Sequence, residues 1–147
     1  MATLPAAFGY FVRVFALGCL FGLVRVPLLV PRLGTRWAEL VELPLLTGCV
    51  VWLACGVARR HREGPPRRLL RVGGLALAML LAAEVALGML TSGRGPWQVL
   101  VDRDPVAGLA YYAALIVFAL APWWWATRDR LASAPRGTPV TPPDAGD

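Results

Sequence analysis

Residues 69–90 read LLRVGGLALAMLLAAEVALGML, and this stretch decides how the chain is read. An α-helix needs about 20 mostly apolar residues to cross the hydrocarbon core of a bilayer. The stretch meets that length, with Arg71 near its start and one acid, Glu84, well inside it. An ionisable group in hydrocarbon is costly, and it usually faces a bundle interior, a partner charge or a ligand path. The reading is therefore a membrane-spanning helix whose one interior carboxylate needs an explanation.

Three further spans appear on either side. The first covers about 6–30 and is interrupted by Arg13 and Arg25. The second covers about 36–58, with Glu39 and Glu42 in its first turns. The last covers about 105–127 and has no charge before Arg128. The expected fold is all-α: a four-helix transmembrane bundle over 1–130. A Pro-, Gly- and Thr-rich tail over 131–147 should be disordered and cytoplasmic. Local signals agree with these spans. Asp104-Pro105 is a strong helix start, with Asp capping free N–H groups and Pro suited to the first helical position. Thr35 can cap the second helix, where Glu39 suits the helix dipole. Pro31 and Gly34 make a tight link, and Gly64-Pro65-Pro66 breaks the chain before the third helix.

Composition narrows the class. Of 147 residues, 57% are hydrophobic, against about 45–50% in a soluble domain. The length suits one small bundle and leaves no room for a second folded domain. All 15 basic residues are Arg, while Lys and Asn are absent, which fits a GC-rich bacterial genome. The net charge of +6 does not indicate nucleic acid, because the Arg residues cluster beside apolar spans. Cys19, Cys49 and Cys55 lie in apolar runs without a CxxC pair, and His61 is the one histidine. No metal site or cofactor is expected from that set. The first apolar run has neither a basic leader nor a small-residue cleavage motif, so it should remain as a membrane helix.

Orientation follows from the basic connection. Arg59, Arg60, Arg62, Arg67, Arg68 and Arg71 flank the link between the second and third helices. Cytoplasmic loops carry such an excess. Both termini are then cytoplasmic, and the protein is a multi-pass protein of the bacterial inner membrane. Arg128, Arg130 and Arg136 after the last helix agree. The charges Arg94, Asp102, Arg103 and Asp104 sum to zero on the other side, whereas Arg32 and Arg36 slightly oppose the rule. Trp123, Trp124 and Trp125 mark an inner interfacial belt, and Trp37 and Trp97 an outer one.

These spans bring the polar side chains to one level. Glu84 lies roughly 22 Å along the helix from Leu69, and Arg25 roughly 25 Å from Phe8. Glu39 stands at the outer rim with Glu42 one turn deeper, and Tyr111 and Tyr112 sit about two turns into the last helix. Three cations (Arg25, Arg32, Arg36) thus match three carboxylates (Glu39, Glu42, Glu84), and with the two tyrosines they form the candidate binding cluster. Gly18, Gly22 and Arg25 share a face whose small residues permit close helix contact. On the third helix, Gly74, Ala78, Ala82 and Ala86 form a small-residue stripe, and Glu84 lies instead with Gly73, Leu77 and Gly88. Such stripes allow a homodimer or a larger membrane complex, although Ala-rich helices show them by chance. Pro44 should kink the second helix and free the Leu40 carbonyl beside the carboxylates. Arg13 can snorkel to the inner interface, His61 reads as a solvated loop residue, and the Arg-rich loop should attract anionic lipid.

The stretches RVPLLVPRLG (25–34), AELVELP (38–44) and RDPVAGLAYY (103–112), with AAE at 82–84, resemble an uncharacterised family of small four-helix bacterial integral membrane proteins. The resemblance covers the four spans and excludes the tail. It implies the fold and a membrane location, and it carries no activity, substrate or catalytic residues.

Three functions fit the residues. The first is a structural or accessory membrane protein whose charges form an internal network. This reading expects a direct Arg25–Glu84 pair, coupled effects of neutralising the two, and no polar cavity. The second is a binding or transport protein for a proton, cation, lipid headgroup or small polar solute. Here Glu84 titrates beside Arg25, Glu42 lies near the Pro44 kink, and a polar pocket opens toward the outer leaflet. Four helices without an inverted repeat are few for alternating access. The third is a membrane enzyme using Glu39 and Glu42 as acid and base. It is the weakest reading, because the spans carry no His, no Ser-centred motif and no metal set. Composition and charge favour the first reading.

Overall fold

A computed structural model describes residues 3–61, 63–93, 95–101 and 105–133. Among them the fold is all-α, with no strand. Helix α1 spans Thr3–Val24 and runs into a π-helical turn, Arg25–Leu29. Helix α2 spans Val30–Arg60, α3 Pro66–Ser92, the short α4 Pro96–Val101 and α5 Pro105–Ser133. Three helical stretches are long and apolar enough to cross a membrane: Thr3–Arg60, Pro66–Thr91 and Pro105–Ala132.

The first stretch has 58 residues. A straight helix of that length would run about 87 Å. It does not stay straight, because Arg25 meets Glu39 and Glu42 across the intervening chain. The reversal is at Gly34, whose φ of 77° and ψ of 163° leave the helical region. Only glycine adopts that backbone conformation cheaply, since it has no Cβ to clash. The tight link expected at Pro31–Gly34 is therefore a break within a nearly continuous helical run. Helical bonding already resumes at Val30 rather than at residue 36.

The first helix changes character before residue 30, with a π-turn over Arg25–Leu29. Pro27 has no N–H, and its ring clashes with the carbonyl four residues back. A π-turn absorbs such a defect by widening the helix for one turn. The backbone at Pro44, by contrast, stays helical. Pro44 still has no N–H to give the Leu40 carbonyl, and its ring faces outward. Helix α3 ends on Gly93 in the left-handed region, whose N–H reaches Met89 O at 3.1 Å. Helix α4 occupies part of the connection read as loop, and α5 includes residues 131–133 of the expected tail. The Asp104 cap, Arg62, Arg94, Asp102, Arg103 and the expected disorder of 134–147 lie outside the described residues.

Helix α1 packs on α2 and α3, and α5 packs on the same two, so the successive helices α2 and α3 stand across from each other. The buried core draws on one end of every long helix. It takes Ala7, Tyr10 and Val14 from α1, Val50 to Ala58 from α2, Leu69 to Leu80 from α3 and Phe118 to Ala126 from α5. These ends meet at the 61–65 connection, where the Arg130 guanidinium donates to the Gly64 carbonyl. Contact there is close. A Cβ on Gly73 would lie 1.9 Å from the Ala119 carbonyl oxygen, so only glycine lets α3 approach α5 this nearly.

Tyr10 closes the same region. It is fully buried, its ring stacks on Phe118 with centroids 4.7 Å apart, and its hydroxyl donates to Phe118 O at 3.1 Å. That carbonyl needs an outside donor because Pro122, four residues on in α5, has no N–H to offer it. A buried carbonyl without a partner is costly, and the tyrosine supplies the missing bond.

Large apolar side chains are exposed along each of the long helices. Leu23, Trp52, Leu109 and Leu90 are exposed by 74%, 75%, 72% and 85%. Water would penalise such a surface and lipid would not. The Gly74, Ala78, Ala82 and Ala86 stripe also faces outward.

Candidate functional site

Between the opposite ends of the long helices lies a cavity of about 1000 Å³. That is near the upper end for small-molecule sites, about 300–1000 Å³. Its walls come from α1 and the π-turn, α2, α3 and α5. Much of the lining is aliphatic or aromatic, including Phe15, Leu46, Leu80, Leu87 and Phe118. Arg25, Glu39, Glu42, Glu84 and Tyr111 add a charged and polar portion.

Each polar group reaches the cavity for a local reason. Arg25 opens the π-turn, where the wider backbone changes the direction of its side chain relative to α1. Glu39 and Glu42 are three apart in α2 and so share one helix face. The Gly34 reversal brings that face back beside Arg25. Arg25 Nη1 lies 3.3 Å from Glu39 Oε1, and Arg25 Nε lies 3.2 Å from Glu42 Oε2. The second contact is close in distance but misaligned for a hydrogen bond. Glu42 Oε2 is buried and has no hydrogen-bond donor among the described residues. It therefore has an attractive charge nearby and an unused lone pair.

Glu84 takes a different partner. The Tyr111 hydroxyl of α5 donates to Glu84 Oε2 of α3. The expected direct pair between Arg25 and Glu84 is thus replaced by two separate links, one within the α1–α2 arm and one between α3 and α5. The helical order explains this: Arg25 precedes the Gly34 turn and its nearest carboxylates are those just after it.

The three cations expected in the cluster do not all reach the cavity. Arg32 and Arg36 flank Gly34 on the exposed tip of the turn, and neither lines the cavity. Tyr112 is exposed, because adjacent residues on a helix point about 100° apart and Tyr111 takes the inward direction. Of the eight residues expected to form the cluster, Arg25, Glu39, Glu42, Glu84 and Tyr111 share the cavity. If all are ionised, one cation faces three carboxylates, so the described residues of the wall sum formally to −2.

Gly18 and Gly22 also line it. No heavy atom outside their own helix lies within 4 Å of a Cβ at either, so they do not mediate the close helix contact expected of them. Thr47 and Thr91 belong to the wall without having been singled out in the sequence. Thr91 donates to Leu87 O at 2.8 Å within its own helix, which is the usual fate of a helical threonine. The cavity itself had one sequence signal, Pro27 followed four residues later by Pro31. Two successive missing N–H groups on one helix face mark a place where regular bonding fails.

No set of three or more His, Cys, Asp or Glu groups suited to a metal ion occurs among the described residues. Compared with models of protein families, with curated proteins and with solved structures, the chain finds a match in none of the three.

Proposed function

We propose that this is a four-pass protein of the bacterial inner membrane, with both termini cytoplasmic, that binds a cationic solute carrying an apolar body. The three long apolar helical stretches and the exposed leucines and tryptophans support the membrane reading. With a reversal at Gly34, three stretches would give four crossings. The Arg-rich connection supports the orientation, which puts the cavity in the outer half of the bilayer. Membership of the uncharacterised four-helix family belongs to the same reading.

One observation carries the binding role: a large, mostly apolar cavity whose charged wall groups, among the described residues, are Arg25 and three carboxylates. A cation gains from that surplus, and a primary ammonium can also donate an N–H to Glu42 Oε2. An apolar body gains from the aliphatic walls. A phosphate or carboxylate ligand would meet the same carboxylates as repulsion.

The test uses reconstituted protein and dodecyltrimethylammonium together with dodecylammonium, measured by calorimetry. Both cations should bind, and dodecyl sulfate should not. Glu84→Gln should weaken binding about tenfold, equivalent to about 1.4 kcal/mol. It should leave thermal stability nearly unchanged, since the amide still accepts the Tyr111 hydroxyl. Equal binding of the sulfate, or no effect of Glu84→Gln and Glu42→Gln, would refute the proposal.

The structural reading retains one observation of its own, the Arg25 ties to Glu39 and Glu42 across the Gly34 reversal. If it is the whole role, Arg25→Gln destabilises the protein and no solute restores it.

A further inference from the structure

A second groove, of about 770 Å³, lies at the other end of the molecule, between the start of α1 and the end of α2. Its cationic rim is formed by Arg13, Arg59 and Arg60, with His61 beside them, and none of its described lining residues is acidic. Arg59 and Arg60 are exposed at the end of α2. Arg13 Nη1 donates to Gly9 O at 3.0 Å, one turn back toward the start of α1. Its charge is therefore drawn toward the same end as Arg59 and Arg60, as snorkelling requires.

Below that rim the groove is small and apolar. Ala6, Gly9 and Gly56 leave a shallow channel, and Leu53 and the exposed Trp52 stand along its α2 side. Gly56 has no heavy atom within 4 Å of where a Cβ would stand, so the channel beside it is open. Cations at one end of an apolar channel, with tryptophan on its edge, match an anionic headgroup above an acyl chain. A free phosphate would use the rim and leave the channel without a purpose.

We infer that this groove is a binding site for one anionic phospholipid, its phosphate held by Arg59, Arg60 and Arg13 and an acyl chain lying past Gly56 and Trp52. The site is separate from the carboxylate-lined cavity and of opposite charge, so either can stand without the other.

The experiment is native mass spectrometry of the full chain released from nanodiscs of mixed phosphatidylglycerol and phosphatidylcholine. One phosphatidylglycerol should be retained per chain in preference to phosphatidylcholine. Arg59→Gln with Arg60→Gln should reduce retention about tenfold or more. Arg67→Gln with Arg71→Gln removes equal charge from exposed residues outside the groove and should leave retention intact. Gly56→Leu keeps every charge, fills the channel and should also reduce retention. Equal loss from the two double variants would overturn the site in favour of diffuse attraction to the basic end. Retention unaffected by Gly56→Leu would overturn the seated chain. Displacement of the lipid by millimolar inorganic phosphate would overturn the choice of a lipid over a free anion.

Discussion

The two ends of this molecule are built from the same four helical arms yet are packed in opposite ways. Toward the 61–65 connection the arms close on a core of Tyr10, Phe118, Leu69 and Val72, with α3 and α5 in near backbone contact at Gly73. Toward the Gly34 turn they part around a cavity, and Ala38, Glu42 and Ala107 are the main buried side chains. The difference teaches how prolines are handled. At the closed end, Pro122 frees one carbonyl and Tyr10 repairs it from a neighbouring helix. At the open end, Pro27 is absorbed by a π-turn that widens the helix and turns Arg25 inward. One defect is sealed and the other becomes part of a site.

Glycine substitutions should break this contrast most sharply. Gly73→Ala drives a methyl group into the Ala119 carbonyl, and overpacking of this kind costs about 3 kcal/mol or more when backbone must move. Gly18→Ala and Gly22→Ala, at the open end, should each shift stability by less than about 0.5 kcal/mol. Thermal unfolding in detergent compares the three. Similar losses at all three would mean that the two ends are packed alike.

The charge tie at the Gly34 turn comes next. Arg25→Met strands two carboxylates and should cost roughly 2–3 kcal/mol, somewhat less than for a fully buried pair. Adding Glu42→Gln should recover part of that loss, whereas adding Glu84→Gln should recover none. A double-mutant cycle reads both couplings, and recovery through Glu84 would restore the pair that the sequence suggested.

The proline repair is the smallest of the three effects. Tyr10→Phe keeps the ring stack but orphans the Phe118 carbonyl, at about 1–2 kcal/mol. With Pro122→Ala already present, residue 122 has its own N–H, and the same tyrosine change should cost less than about 0.5 kcal/mol. Equal costs in both backgrounds would show that Tyr10 acts through its ring alone.

Much of the fold was legible in the residues. Long apolar runs predict long helices because their backbone bonds are local and their side chains avoid water. Gly34 and Gly64-Pro65-Pro66 were readable as turns, since glycine and proline act on the chain directly. Heights were readable too: Arg25, Glu39, Glu42, Glu84 and Tyr111 do line one cavity, and axial rise depends only on counting residues. The direction of each side chain around its helix was not legible. Arg32, Arg36 and Tyr112 stand at workable positions but face outward, and Arg25 faces inward because of a π-turn that a regular helix count does not foresee.

By itself, then, the amino-acid order determined that the chain is helical, where it reverses and which ionisable groups sit near one level. Those properties follow from local bonding, apolar length and the special backbones of glycine and proline. Tertiary structure alone decided that Arg25 pairs with Glu39 and Glu42, that Glu84 is held by Tyr111, and that a cavity lies among them. Pairing depends on which helix stands beside which and at what rotation. That is set by the summed packing of side chains distant in sequence, such as Tyr10 on Phe118 and Gly73 on Ala119.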